Sequence, residues 1–166
     1  RLALWSDHGS APEFAGGINY AFAANPGATP YDSWKLDRFT APELLDPLVG
    51  GDHADPDHDG IPNILEFALG GEPKSHAPDD LPHGEVKTIG SDRHLTFSYT
   101  RRPPADGVTY LPESSADLIN WNDNPAQFTT VSITPLGSGL GKVEIRLTTP
   151  LPGGPNFIRL KAVLAP

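Results

Sequence analysis

The stretch Asp55-Pro56-Asp57-His58-Asp59-Gly60-Ile61-Pro62-Asn63-Ile64-Leu65-Glu66 constrains this chain more than any other. Three aspartates and a glutamate bring four negative charges into one small volume. With no cation between them they repel at short range. The spacing is that of a twelve-residue calcium loop. In such a loop positions 1, 3 and 5 supply carboxylate oxygens and position 6 turns sharply. Position 7 offers its backbone carbonyl, position 9 binds directly or through water, and position 12 binds with both carboxylate oxygens. Asp55, Asp57, Asp59, the Ile61 carbonyl, Asn63 and Glu66 are therefore the expected Ca2+ ligands. A hard dication of this size takes about 6–8 oxygens at about 2.3–2.6 Å, and a bidentate Glu66 favours calcium over octahedral magnesium.

The flanks define the variety of loop. Gly50, Gly51 and Asp52 precede it, so no long helix runs into position 1. After it, Ile61, Ile64, Leu65, Ala68 and Leu69 follow helical spacing, with Pro62 in the first turn, Gly70-Gly71 as the cap and Pro73 as the stop. Paired hands join their loops by a backbone bridge at position 8, and Pro62 cannot donate to it. A lone, EF-hand-like loop docked on its own domain is expected. A sensor needs helices that reorient around an apolar groove, and one short helix points instead to a structural clamp. At about 100-fold excess of free calcium over the dissociation constant, such a clamp adds about 2.7 kcal/mol. Against a domain stability of roughly 5–15 kcal/mol that is a large share.

Upstream, residues 31–49 read as two helical pieces. Tyr31, Trp34, Leu36 and Phe39 recur at helical spacing. Thr40 then caps a second piece with Pro42 and Glu43 in its first turn and Leu44, Leu45 and Leu48 on its apolar side. From about residue 83 the period changes to two. Leu95, Phe97 and Tyr99 alternate with polar residues, as do Val143, Ile145 and Leu147. Val108–Leu111, Phe128–Ile133 and Phe157–Val163 add further short strands. Pro103–Gly107, Gly137–Gly141 and Pro150–Pro155 punctuate them. The expected fold is mainly β, an antiparallel sandwich preceded by a short helical segment that carries the loop. Three regions follow: an arm or linker over 1–30, a helical segment over 31–75 and a β-sandwich over 76–166. Within the arm, Leu2–Trp5 reads as a possible strand and Asn19–Ala24 as a short helix.

Gly and Pro supply 36 of the 166 residues, yet 37% of the chain is hydrophobic and periodically placed. This is a turn-rich folded chain, not a disordered one. A net charge of −9 argues against nucleic acid and anionic membrane surfaces, which need basic patches. No apolar run approaches the roughly 20 residues of a membrane span. The absence of Cys removes disulfides, zinc thiolates and thiol chemistry. A chain that opens on Arg1 and contains no Met is expected to be a processed or excised piece.

Tyr31-Asp32-Ser33-Trp34, then Phe39-Thr40-Ala41-Pro42-Glu43-Leu44-Leu45-Asp46-Pro47, then Ala54 through Gly70 form one continuous pattern. It resembles the C-terminal region of large secreted bacterial proteins, where a single dockerin-like or thrombospondin-type-3-like calcium loop precedes a small β-domain. Val108-Thr109-Tyr110, Glu113–Leu118, Trp121 and Asn156–Lys161 resemble that β-domain. The likeness covers about residues 29–164. It departs at His58, where a small residue is commoner; position 4 projects outward, so little effect on binding is expected. The resemblance implies an accessory tail of an extracellular or surface-attached protein, with a metal and no established reaction.

A catalytic set is not evident. Asp7, His8 and Ser10 are sequence neighbours, whereas triad members converge from distant positions. His53, His76, His83 and His94 lack ligand spacing and are expected at surfaces or turns. Two alternatives to a non-catalytic structural module stand. One is a carbohydrate-binding module of cell-surface glycans using Trp5, Trp34, Trp121, Tyr20, Tyr31, Tyr99 or Tyr110, although Trp34 and Trp121 also fit as core anchors. The other is an extracellular fibre in which residues 1–30 pair with an exposed strand edge of another copy.

Overall fold

The computed structural model describes residues 28–76, 81–155 and 157–165. The strand expected at Leu2–Trp5, the helix at Asn19–Ala24 and the Asp7-His8-Ser10 group lie outside the described residues. Among the described residues three α-helices come first: α1 Pro30–Arg38, α2 Ala41–Leu45 and α3 Asn63–Leu69. Six strands follow: β1 His83–Ile89, β2 Asp92–Arg101, β3 Val108–Ser115, β4 Phe128–Gly137, β5 Leu140–Leu147 and β6 Phe157–Leu164.

Local chemistry sets the helix ends. Thr29 caps α1, its hydroxyl accepting from the Asp32 N–H at 3.1 Å while the Asp32 carboxylate accepts from the Thr29 N–H at 3.0 Å. Glu43 plays the same reciprocal part for Thr40 at the start of α2, accepting its N–H at 2.7 Å. These are capping boxes, which satisfy amides that a helix start leaves unpaired. Pro62 stands at the N-cap of α3, one residue earlier than the sequence places it, and Gly70 closes the helix in the left-handed region at φ 80°.

The apolar faces differ from expectation in two places. In α2, Leu44 packs inward, but Leu45 and Leu48 are 86% and 81% exposed. The helix is only five residues long, so the chain turns away at Asp46 before a full stripe forms. In α3, Leu65 is exposed whereas Phe67 is fully buried. This seven-residue helix is enclosed on most of its sides, with Asn63, Glu66, Phe67, Ala68 and Leu69 all buried. In α1, Tyr31 and Trp34 are buried and Leu36 is not, and Phe39, just after the helix, is buried as well.

All strand pairs are antiparallel and form two sheets, one in the order β1-β2-β5-β4 and one of β3 and β6. β1 is a strand that the alternation did not single out; its burial shows almost no inward side. Register places Val86 opposite Leu95, Gly84 opposite Phe97, Phe97 opposite Ile145 and Tyr99 opposite Val143. Since side chains alternate with period two, these residues share one face. Phe97, Tyr99, Val143 and Ile145 form its buried centre, and Tyr110, Ile158 and Leu160 of the smaller sheet pack against them. The face is four strands wide and its cover two. Val86 on β1 and Ile133 on β4, which pairs with Val143, therefore remain 45% and 50% exposed.

β4 carries no charged residue. Its register slips by one residue at Val131 and again before Gly137, and Pro135 interrupts its donors. A second cluster joins the helices to the smaller sheet: Tyr31, Trp34, Phe39, Phe67 and Ala68 bury Val108 and pack against Tyr110, Ala162 and Leu164. Tyr110 belongs to both clusters. Arg102 adds a third tie, its guanidinium lying 4.1 Å above the Phe67 ring and donating to the Phe67 carbonyl. Among the described residues no helix is long and apolar enough to cross a membrane.

Candidate metal centre

The segment before the acidic loop is a tight double turn. A Cβ at Gly50 would lie 2.6 Å from the Glu43 carbonyl oxygen, and one at Gly51 would lie 2.2 Å from that of Pro47. Only residues without side chains fit there. Tyr31 Oη and Lys35 Nζ both reach Asp52 Oδ1, at 3.1 and 3.0 Å, and anchor α1 to the turn. Burial, and then the Asp52 charge, push the Tyr31 hydroxyl pKa well above its ordinary value.

The loop then folds on its own backbone. Asp55 accepts the Gly60 N–H at 2.9 Å and the Asp59 N–H at 3.2 Å. Asp57 Oδ1 also faces the Asp59 N–H, at 3.3 Å, and Asp59 accepts the Ile61 N–H at 2.8 Å. Gly60 takes φ +91°, a region that other residues enter at a cost. His58 also has a positive φ, of 61°, and its side chain is exposed, in line with the outward direction expected of it. As a result carboxylate oxygens of Asp55, Asp57 and Asp59 lie within 4.8 Å of one another.

The remaining sequence-predicted residues stand around this trio in different ways. Ile61 is buried. Asn63 is 0% exposed; its N–H donates to the Ala54 carbonyl, and its Nδ2 donates at 2.8 Å to both the Val49 and Gly51 carbonyls. It stitches the end of the loop to the double turn before it. Glu66 is 3% exposed and stands outside the group of three converging carboxylates. Its Oε2 fills the space above Gly71, where a Cβ would come within 1.8 Å. Sequence reasoning gave Gly71 a capping role only, and missed this steric one and the Asn63 stitch. The Gly70-Gly71 pair, redundant for a cap, was the available signal for the first.

The residues present fit a calcium ion chemically. The donors are all oxygens, the ligand type that a hard cation takes. Two are buried acceptors with no hydrogen-bond partner among the described residues: Asp57 Oδ2, at position 3, and Asn63 Oδ1, at position 9. Buried acceptors without partners are rare in folded chains and are explained by an ion or a water.

No convergent catalytic set accompanies the loop among the described histidines. His53, His76 and His83 are exposed. His94, expected at the surface, is instead buried in β2, its Nδ1 2.9 Å from the Leu147 carbonyl oxygen and the Arg146 guanidinium beside its ring. By the alternation of β2, His94 shares a face with the buried Thr96, opposite that of Leu95 and Phe97. Trp34 is a core residue as expected, while Trp121 is half-buried, with the Arg159 guanidinium 4.1 Å above its ring. Comparison with protein families, curated proteins and solved structures gives no match to this chain.

Proposed function

We propose that this chain is a non-catalytic, calcium-stabilised accessory module of a secreted or cell-surface bacterial protein. In this reading the two sheets are the layers of an antiparallel β-sandwich, and the Asp55–Glu66 stretch is a single EF-hand-like clamp that fixes the helical segment to it. The observation that carries it is the convergence of Asp55, Asp57 and Asp59, with unfilled acceptors on Asp57 and Asn63. Asp55, Asp57, Asp59, the Ile61 carbonyl, Asn63 and Glu66 would hold the ion. The ion neutralises charges that otherwise repel and draws the start of α3 onto the loop. Millimolar free calcium is an extracellular condition, which suits a site of this class.

The test is a thermal melt of the chain in millimolar calcium and again in excess chelator, with calorimetric titration of calcium. A higher midpoint in calcium and saturable binding of one ion support the clamp. Identical midpoints with no binding heat remove it.

The sugar-binding alternative has weaker support. Trp34 is buried, and Trp121 donates its Nε1–H to the Leu118 carbonyl at 3.2 Å while Arg159 covers one face of its ring. A stacking platform needs a free face and free donors. The fibre alternative turns on residues 1–30 and on which strand edge they meet.

A further inference from the structure

We propose that the open edge of β6, with the cavity beside it, docks an extended polypeptide of another molecule in which apolar and acidic side chains alternate. This inference stands apart from the calcium reading and does not depend on it.

Three observations define the surface. First, β6 pairs with β3 on one side only. Along its other side the backbone groups have no ladder partner among the described residues, and an open edge of this kind templates another strand. Second, a cavity of about 290 Å³ lies beside the start of β6, lined in part by Gly84, Leu95, Phe97, Trp121, Phe157 and Ile158. A Cβ built at Gly84 would meet no atom nearer than 3.9 Å, so an incoming side chain has room. Third, Leu118 stands at this cavity with φ 64°, a region that residues other than glycine seldom enter. The loop around it is fixed: Ser115 Oγ accepts the Leu118 N–H at 2.9 Å, and Asp117 Oδ1 accepts the Ile119 and Asn120 N–H groups at 2.9 and 2.8 Å. It holds Leu118 beside the cavity and more than half exposed. Backbone held in this way clusters at ligand clamps.

The chemistry of the occupant follows from the two sides of β6. Ile158 and Leu160 face inward and pack on the core, so a strand added beside them needs apolar residues on that side. Arg159 and Lys161 alternate with them and are exposed. Lys161 takes part in no ion pair among the described residues. Arg159 meets Glu113 and lies 4.1 Å above the Trp121 ring, which fixes its guanidinium beside the edge. The outward side of the added strand therefore meets two cations and no acid of β6. A second copy does not suit. Two β6 strands meeting antiparallel about Leu160 set Arg159 of each against Lys161 of the other, and about Lys161 they set the two lysines face to face. Like charges directly opposite are destabilising, whereas opposite charges stabilise the pair. The net charge of −9 opposes an acidic partner at long range. Screening at physiological salt cuts that repulsion off beyond about 8 Å, while cross-strand neighbours act at about 5 Å. The local cations therefore decide.

Fluorescence anisotropy with the full chain and dye-labelled octapeptides tests this. A peptide alternating valine and glutamate should bind saturably, and one alternating valine and lysine at least about 10-fold more weakly. Lys161→Glu, at an exposed position, should weaken the first peptide and strengthen the second by about 3-fold each. N-methylation of the amides on one edge of the valine–glutamate peptide removes its ladder donors and should abolish binding when that edge faces β6. Hydrogen exchange by mass spectrometry then locates the peptide. Amides of Phe157–Leu164 should slow at saturation, with those of Phe128–Gly137 unchanged. Absence of saturable binding overturns the proposal, as does equal binding of the two unmethylated peptides. Protection at Phe128–Gly137 in place of Phe157–Leu164 overturns it too, because the docking edge is then β4.

Discussion

Tyr110 Oη, near the start of β3, donates to the Ala68 carbonyl near the end of α3 at 2.5 Å and accepts the Arg102 N–H at 2.9 Å. This one side chain thereby joins α3 to both sheets, since its ring also lies 5.6 Å from that of Tyr99, tilted by 32°. Burial pushes its pKa above the ordinary value, so it stays a neutral donor. Tyr110→Phe keeps the ring and leaves one carbonyl and one N–H without this partner. It should lower stability by about 1–3 kcal/mol in urea unfolding, with an unchanged m-value.

Asp57→Ala or Glu66→Gln removes a proposed ligand. In calcium, either variant should melt near the chelated value of the unmodified chain, and chelator should shift it no further. At about 100-fold excess of calcium, the difference from the parent should be about 2.7 kcal/mol. A variant that still gains the full calcium stabilisation would acquit the residue it replaces.

Asn63 separates stitching from ligation. Its side-chain amide satisfies the Val49 and Gly51 carbonyls whether or not an ion is present. Asn63→Ala should therefore lose stability in chelator as well as in calcium, by about 1–3 kcal/mol. Asp57→Ala should not show that ion-independent loss, and parallel melts of the two variants compare them directly.

Gly71→Ala places a methyl 1.8 Å from Glu66 Oε2. Overpacking of this sort costs about 1–3 kcal/mol. The added Glu66→Ala change removes the obstacle, so the pair should be less unstable than the sum of the single changes. A double-mutant cycle with no coupling would show that the strain lies elsewhere.

The capping carboxylates set an acid response. The Thr29 N–H, and after it the Thr29 hydroxyl, hold the Asp32 pKa below its ordinary value of 3.8. The Thr40 N–H, and then Lys74 and the Thr40 hydroxyl, hold that of Glu43 below 4.5. A folded-state pKa below the unfolded one adds stability above the unfolded value and loses it as pH falls through the folded value. Both helix starts should weaken below about pH 4, modestly, because Asp32 is exposed and Glu43 only half-buried. Asp32→Asn/Glu43→Gln should flatten the stability–pH curve there, as followed by helical circular dichroism.

Much of this fold was legible because its signals are local. The cap at Thr40, the turn at Gly60 and the stop at Gly70 are written in adjacent residues. The strands that alternate strongly, β2 and β5, were equally plain. What stayed hidden depends on distant partners. β1 could not be singled out because among the described residues little covers it, so its burial shows almost no inward side. Leu45 and Leu48 followed helical spacing, but a five-residue helix cannot deliver both to one face. The gathering of Asp55, Asp57 and Asp59 follows from loop spacing, whereas the place of Glu66 depends on the bare Cα of Gly71 five residues later.

β4 has a further consequence. Ten residues without a formal charge line an outer border of the larger sheet, interrupted only by a slipped register and one proline. Nothing electrostatic on the strand itself keeps two molecules from zipping together there. That task falls to the excess acid spread over the rest of the chain. As a solution is brought toward the isoelectric point near 4.9, the long-range repulsion fades while this border stays as adhesive as before, and turbidity should begin with the fold still intact.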